Sequence, residues 1–324
     1  FQRKIDYLRI SITDNCNLNC TYCSPPFSGR RHLERREILS YEEIAVLTEA
    51  AVAAGITKIR LTGGEPLIRK GVVELCRMLS AINGLESLTL TTNGIRLRAL
   101  AQSLAAAGIK RINISLDSLQ RNRFAQITGQ DRLTEVLAGI EAAEAAGLAP
   151  IKINTMVMRG LNDDEVADLA ALTFDRPYHV RFIELMPFQH TGDVDYDRLH
   201  VPIGEIIRKI PGIESAKVNP MLDNPGPARL CAVPGAKGKI GFIAPMSWHF
   251  CGSCNRLRLT ADGKIRSCLF SDHEMDIKTL LRRGASKKEL IDFFTSAVKY
   301  KPRRHQMDRN RHGRTRRGMY AIGG

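Results

Sequence analysis

The chain has 324 residues, 44% of them hydrophobic and 25% charged, with 26 Gly and 14 Pro. That composition excludes wholesale disorder and fibrous classes, and the length allows two domains or one barrel-sized unit with an extension. The formal charge is +14, and half of it, +7, falls between Lys301 and Arg317, where eight Lys or Arg stand against Asp308. Such a tail reads either as a solvated arm or as a contact for nucleic acid or another polyanion. The most apolar stretch, residues 44–56, is broken by Thr48 and Glu49, short of the ~18 residues of a membrane helix, so a soluble chain is expected. The first residue is Phe1 rather than Met, which leaves room for a preceding address segment.

Through the first 190 residues, short β-type runs alternate with Ala- and Leu-rich helical patterns. A strand at 7–13 leads into a Cys/Pro/Gly loop and then a helix at 42–54, where Ser40 and Glu43 have capping-box spacing. Further strands are predicted at 58–62, 88–92, 111–116, 152–158 and 179–185, with helices at 71–80, 96–107, 133–146 and 163–173 between them. Gly55, Gly84, Gly108 and Gly147 stand where those helices should stop. Six strand–helix repeats imply a parallel sheet with right-handed crossovers, and six rather than eight an incomplete barrel. The expected fold is therefore α/β, an incomplete (β/α)6 TIM-like barrel over residues 1–195. Residues 196–324 form a C-terminal extension, where clustered Pro and Gly mark irregular structure before a helical pair at 276–282 and 287–298 and the basic tail.

The strands alternate in polarity. Leu8, Ile10 and Ile12 interleave with Arg9, Ser11 and Thr13; Ile59 and Leu61 with Lys58, Arg60 and Thr62; Ile112 and Ile114 with Asn113 and Ser115; Ile151 and Ile153 with Lys152 and Asn154. If the apolar sets lie under the helices, the polar sets share one lumen and gather Arg9, Arg60 and Lys152, a constellation suited to polyphosphate. Solvated strand ends are the plainer alternative.

Six of the eight cysteines form two trios, Cys16-x3-Cys20-x2-Cys23 and Cys251-x2-Cys254-x13-Cys268. This suits thiolate metal ligation in a reducing compartment rather than a disulfide scaffold. Cys76 reads as a packing residue within an apolar helical pattern. The first trio follows the first strand, where a barrel of this kind carries its active site. Three thiolates can hold three irons of a cubane and leave the fourth open; zinc completed by His32 is the alternative there, and zinc completed by His249 or His273 at the second trio.

The first trio, with Tyr22 before its last cysteine, and Gly63-Gly64-Glu65-Pro66 after the second strand together resemble the radical S-adenosylmethionine superfamily. The run from Phe250 to Thr260 (FCGSCNRLRLT), with LTGGEPL at 61–67, TTNG at 91–94, NISLD at 113–117, RFIELMP at 181–187 and the closing Gly323-Gly324, resembles its GTP 3′,8-cyclase family, over essentially the whole chain. The resemblance implies two 4Fe-4S clusters, on Cys16, Cys20 and Cys23 and on Cys251, Cys254 and Cys268. It implies S-adenosylmethionine at Tyr22, Gly63, Gly64, Glu65, Ser115 and Met186. GTP falls at Arg9, Arg60, Thr91, Lys152, Arg256, Leu257 and Arg258, and Gly323 and Gly324 reach the active site. Reaction by analogy removes a hydrogen from C3′ of GTP, joins C3′ to C8, and then reduces and protonates the product. The implied partners are GTP, reduced flavodoxin or ferredoxin as electron donor, a downstream cyclic pyranopterin monophosphate synthase and a homodimeric mate, with no stable nucleic acid and no membrane. The implied compartment is the cytoplasm, or the mitochondrial matrix in a eukaryote. Ser24 departs from the Met common in relatives. The competing readings are a radical enzyme acting on RNA and a non-catalytic zinc or iron-sulfur module that binds nucleic acid.

Overall fold

The structure, a computed structural model, describes residues 3–23, 32–187, 195–215, 217–219 (main chain only), 226–305 and 317–323. Six strands, β1 (Tyr7–Ser11), β2 (Lys58–Thr62), β3 (Ser87–Thr92), β4 (Arg111–Ser115), β5 (Lys152–Val157) and β6 (His179–Glu184), lie in consecutive order and pair in parallel. This is the expected half-open barrel. Between them run α1 (Tyr41–Ala53), α2 (Val72–Ser80), α3 (Leu97–Ala106), α4 (Arg121–Thr128), α5 (Leu133–Ala145) and α6 (Val166–Asp175). Helix α1 opens with the capping box read from the sequence: Glu43 N–H donates to Ser40 Oγ at 3.1 Å and Ser40 N–H to Glu43 Oε2 at 2.7 Å, so two of the donors a helix start leaves over are satisfied reciprocally.

The extension does not stand apart from the barrel. It adds short helices α7 (Tyr196–Leu199) and α8 (Ile203–Arg208) and then strands β7 (Lys217–Asn219), β8 (Arg229–Ala232), β9 (Lys239–Ile243), β10 (Arg256–Leu259), β11 (Lys264–Arg266) and β12 (Glu274–Asp276). Strand β10 pairs in parallel with β1 and β9 in parallel with β6, so one twelve-stranded sheet runs β12-β11-β10-β1-β2-β3-β4-β5-β6-β9-β8-β7. Both open edges of the six-stranded unit are thereby covered by parallel pairing. The closing helices α9 (Ile277–Arg282) and α10 (Lys287–Lys299) follow, and α10 packs on α1.

The apolar strand sets lie where the alternation put them. Leu8, Ile10, Ile59, Leu61, Ile112, Ile114 and Ile153 are fully buried in the main core beneath the helices, with Cys76 among them. The opposite set faces a cavity, because successive strand side chains point to opposite faces.

Candidate active site

One cavity of about 430 Å³ opens at the sheet's polar face, within the usual range for a small-molecule site. Cys16, Cys20, Cys23, Cys251, Cys254 and Cys268 all line it. Two groups separated by more than 220 residues thus meet across one space because β10 lies directly beside β1.

The first trio sits on the loop leaving β1. Asn19 N–H donates to Thr128 O at 2.8 Å and Thr21 N–H to Ile127 O at 2.9 Å, so the end of α4 holds the loop's main chain. Leu18 N–H donates to Cys16 Sγ at 3.4 Å, and Tyr22 Oη donates to Asp117 Oδ2 at 2.7 Å. The Gly-Gly-Glu segment is zipped against the same exit: Gly64 N–H donates to Thr13 O and Glu65 N–H to Asn15 O, each at 2.7 Å. A Cβ on Gly64 would lie 2.2 Å from Asn15 O, which explains why only glycine serves there. Glu65 is 1% exposed, and its carboxylate accepts from Leu67 N–H, Thr92 Oγ1 and Asn93 N–H. Burial nevertheless pushes its acid up to about 7.

Across the cavity, the loop before β10 turns at Cys251–Ser253, and the Arg256 guanidinium lies 5.2 Å from the Phe250 ring centroid. Lys301 Nζ donates to Arg256 O at 2.7 Å and Ser267 O at 2.8 Å. Burial resists ionisation of Cys254, but Arg256 and Lys301 outweigh it and bring the thiol down to about 6, toward the thiolate a metal needs. Glu184 braces this loop from the barrel side: its carboxylate accepts from Met246 and Ser247 N–H and from Ser247 Oγ, and it pairs with His200 Nε2 at 2.9 Å.

Between the trios runs a cationic row. Arg258, Arg9 and Arg60 are register partners on β10, β1 and β2, and all three line the cavity with Lys58, Lys152, Arg181 and Arg256. Burial, then Arg258 and Arg60, holds Arg9 well below the usual guanidinium range. Burial brings Arg181 and Arg258 down to about 9, with Arg60 adding to the effect on Arg181 and Arg256 to that on Arg258. Lys152 falls to about 7 through burial, then Arg181 and Arg60. Nε and Nη2 of Arg181 are buried without a hydrogen-bond partner among the described residues, a state an anion would relieve.

Tyr22, Gly63, Gly64, Glu65, Ser115, Met186, Arg9, Arg60, Thr91, Lys152, Arg256 and Arg258 all line this cavity. Leu257 stands apart from these residues. Strand alternation turns its fully buried side chain into the core opposite Leu8, so only its main chain is left for a ligand. Gly323 packs against two residues that line the cavity: its carbonyl accepts from Arg258 Nη1 at 2.7 Å, and a Cβ there would meet Thr62 Oγ1 at 2.4 Å. Ser24 and Gly324 lie outside the described residues. Sequence reasoning missed Arg181, although its strand repeats the alternation that exposed Arg60 and Lys152.

Of the candidate zinc ligands, His32 Nδ1 lies 3.5 Å from Asp14 Oδ2, His249 pairs with His305 at 3.0 Å, and His273 stacks on Tyr300. Among the described residues no three His, Cys, Asp or Glu side chains converge on a single metal ion. A cubane imposes no such convergence, since each thiolate binds its own iron. Three thiols on a pinned loop, lining a cavity beside a glycine-rich segment, fit that donor set.

Residues 10–173 match the Radical SAM superfamily, and residues 178–307 match the Molybdenum Cofactor Synthesis C family. The GTP 3′,8-cyclase of Moorella thermoacetica is 51% identical over 328 residues, covering 100% of this chain and 99% of the relative. That of Pelotomaculum thermopropionicum is 47% identical over 329 residues with the same coverage. The chain belongs to the GTP 3′,8-cyclase family. Its fold is similar to that of Streptococcus suis SuiB bound to S-adenosylmethionine, with TM-score 0.63 and 13% identity over 90% of this chain and 68% of that one. HydG, an FeFe-hydrogenase maturase, gives 0.51 and 16% over 64% and 48%. At such identities the likeness extends to fold alone. The two matched regions meet where β10 pairs with β1; the first trio follows β1, Cys251 and Cys254 precede β10, and Cys268 follows β11.

Proposed function

We infer that this chain is a radical S-adenosylmethionine enzyme that converts GTP to (8S)-3′,8-cyclo-7,8-dihydroguanosine 5′-triphosphate, the first step of molybdenum cofactor biosynthesis. The observation that carries the reading is the arginine row Arg258–Arg9–Arg60 lying between two cysteine trios in one cavity. Cys16, Cys20 and Cys23 would hold the 4Fe-4S cluster, with S-adenosylmethionine against Gly63, Gly64, Ser115 and Met186. Cluster and S-adenosylmethionine together supply, when bound, the one-electron cleavage that generates a hydrogen-abstracting radical.

The chain's own residues position and neutralise. Arg60, Lys152 and Arg181 face the polyphosphate, whose charge offsets the repulsion among them. Lys152, held near neutrality in pKa by burial and its cationic neighbours, gains its proton as the anion enters. Arg256 and Arg258 alternate onto the cavity face of β10 beside the second trio. That trio would hold a second 4Fe-4S cluster with an iron open to the guanine. Gly323, docked on Arg258, would shape the site for ring closure. Reduced flavodoxin or ferredoxin would supply electrons, and cyclic pyranopterin monophosphate synthase would consume the product, in the cytoplasm. No helix among the described residues is long and apolar enough to cross a membrane.

The test is anaerobic single turnover of the reconstituted enzyme with S-adenosylmethionine, dithionite and GTP. Stoichiometric 5′-deoxyadenosine and a cyclised nucleotide triphosphate are expected, and 5′-deoxyadenosine without the nucleotide product would overturn the substrate assignment. Deleting Gly323 and Gly324 should leave GTP affinity unchanged and sharply lower the cyclised product. Full yield from that truncation would remove the diglycine from the mechanism.

A further inference from the structure

We propose that Arg317 is a positioning residue, the latch that docks the terminal segment so that Gly323 reaches Arg258. The proposal rests on the reading of the diglycine as part of the site. It also accounts for part of the basic tail, whose charge the reaction itself does not explain.

The Arg317 guanidinium makes a two-pronged contact with Asp262, Nη1 to Oδ1 and Nη2 to Oδ2, each at 2.8 Å, and Nη2 also donates to Glu274 Oε2 at 2.8 Å. Both acceptors are fixed independently of the tail. Asp262 Oδ1 accepts from Thr260 Oγ1 at 2.6 Å, in the turn between β10 and β11. Glu274, on β12, takes the fully buried Arg266 on its other oxygen. Asp262 is 8% exposed. Although burial opposes its ionisation, Arg317 and Thr260 hold its carboxyl below the ordinary range. A preformed acidic socket therefore accepts one planar, doubly donating cation, a geometry that lysine cannot reproduce.

Beyond the latch the segment runs straight into the site. Met319 N–H donates to the carbonyl of Cys23 at 3.1 Å, a turn returns Ala321 N–H to Gly318 O at 3.0 Å, and the carbonyls of Ile322 and Gly323 accept from Arg258. These main-chain contacts are few, and chain termini fray unless tied down. The ion pair is the one charge-assisted, bidentate contact that the described part of the segment makes through a side chain of its own. It anchors the segment six residues before Gly323.

The experiment uses the reconstituted enzyme as Arg317→Ala, Arg317→Lys, Asp262→Asn, the chain lacking Gly323 and Gly324, and Arg317→Ala within that truncation. Iron content, GTP affinity, single-turnover yield of cyclised nucleotide and hydrogen exchange at the Met319 amide are measured on each. Arg317→Ala should lower product formation about ten- to a hundredfold, the range for losing charge-assisted contacts. GTP affinity and iron should stay unchanged, and protection at Met319 should vanish. Arg317→Lys should recover part of both, Asp262→Asn should mimic the loss, and adding Arg317→Ala to the truncation should cost nothing further, because both act through one docked segment. Wild-type yield or a still-protected Met319 amide in Arg317→Ala would overturn the latch while leaving the diglycine reading intact if the truncation is impaired. If the truncation turns over normally, that reading fails instead. The latch is then decided by the Met319 amide alone, with loss of protection upholding it and retention refuting it.

Discussion

Arg9 and Arg258 are register partners on adjacent parallel strands, and the next partner along the row is Arg60. Like charges placed directly opposite on a sheet destabilise it, so the row should cost stability that a bound polyanion restores. Inorganic triphosphate should raise the thermal midpoint of the reconstituted protein more than equal ionic strength of chloride does, and Arg60→Ala should blunt the rise. Equal shifts from both salts would mean that the row is solvated and takes no specific anion.

On the proposed assignment the same row should set nucleotide selectivity. A charge-assisted contact contributes roughly 1.5–3 kcal/mol, so Arg60→Ala or Arg181→Ala should weaken GTP about ten- to a hundredfold. GMP should be affected far less, as measured by anaerobic equilibrium dialysis. Unchanged GTP affinity in properly folded variants would sever the link between cations and phosphate.

If the polyphosphate sits against Lys152 as proposed, this residue should give the binding a pH signature. Its pKa in the unliganded protein is depressed to about 7, and a polyphosphate bound there would raise it. By linkage, affinity is then highest where the lysine is already protonated. It declines by about tenfold per pH unit above 7, until the bound-state pKa is passed. Titration of GTP affinity from pH 6 to 9 should show this decline in the wild type and not in Lys152→Met. Stability without ligand should run the other way, rising with pH above about 7, because a depressed amine pKa means that the unfolded chain binds more protons there.

On the proposed assignment the two trios have separate tasks. Cys16→Ala, Cys20→Ala or Cys23→Ala should abolish 5′-deoxyadenosine formation. Replacing Cys251, Cys254 or Cys268 should spare some of it, uncoupled from product. Iron should fall from about eight to about four per chain in either case. Equal loss of 5′-deoxyadenosine in both groups would contradict the division.

Glu184→Ala removes the brace on the loop before Cys251 and leaves His200 buried beside the gap. The second trio should lose iron while the first keeps it, with Glu184→Gln intermediate. Iron counts and low-temperature spectra of the reduced protein distinguish the two. Symmetric iron loss would make the residue a general stability determinant.

Much of this architecture is legible locally. The barrel strands lie within a residue or two of their sequence positions, because a half-buried strand writes its period into consecutive residues such as Lys58, Ile59, Arg60 and Leu61. Helix α4 escaped notice because only Phe124, Ile127 and Thr128 are buried along it, too few to make a stripe. The pairing of Arg9 with Arg258 is set by chain topology across nearly 250 residues, which no local period records. Leu257, a GTP position implied by the resemblance, has its side chain in the core for the alternation that exposes Arg256 and Arg258. The tail arginines were unreadable individually because a run of like charges does not say which member finds an acid; the fixed pair Asp262 and Glu274 makes that choice for Arg317.

The sheet order also bears on how the chain comes to be made. Strands β1 and β6 are complete once the first 184 residues exist, yet their outer partners β10 and β9 lie much later in the sequence. A nascent chain emerging from the ribosome therefore carries two unsatisfied strand edges until residue 243 completes β9, and one of them until residue 259 completes β10, at roughly 5–20 residues per second. During those seconds each edge is a template for a neighbouring copy. Overexpression should favour inclusion bodies unless synthesis is slowed, and a fragment ending near residue 195 should aggregate rather than behave as an autonomous domain.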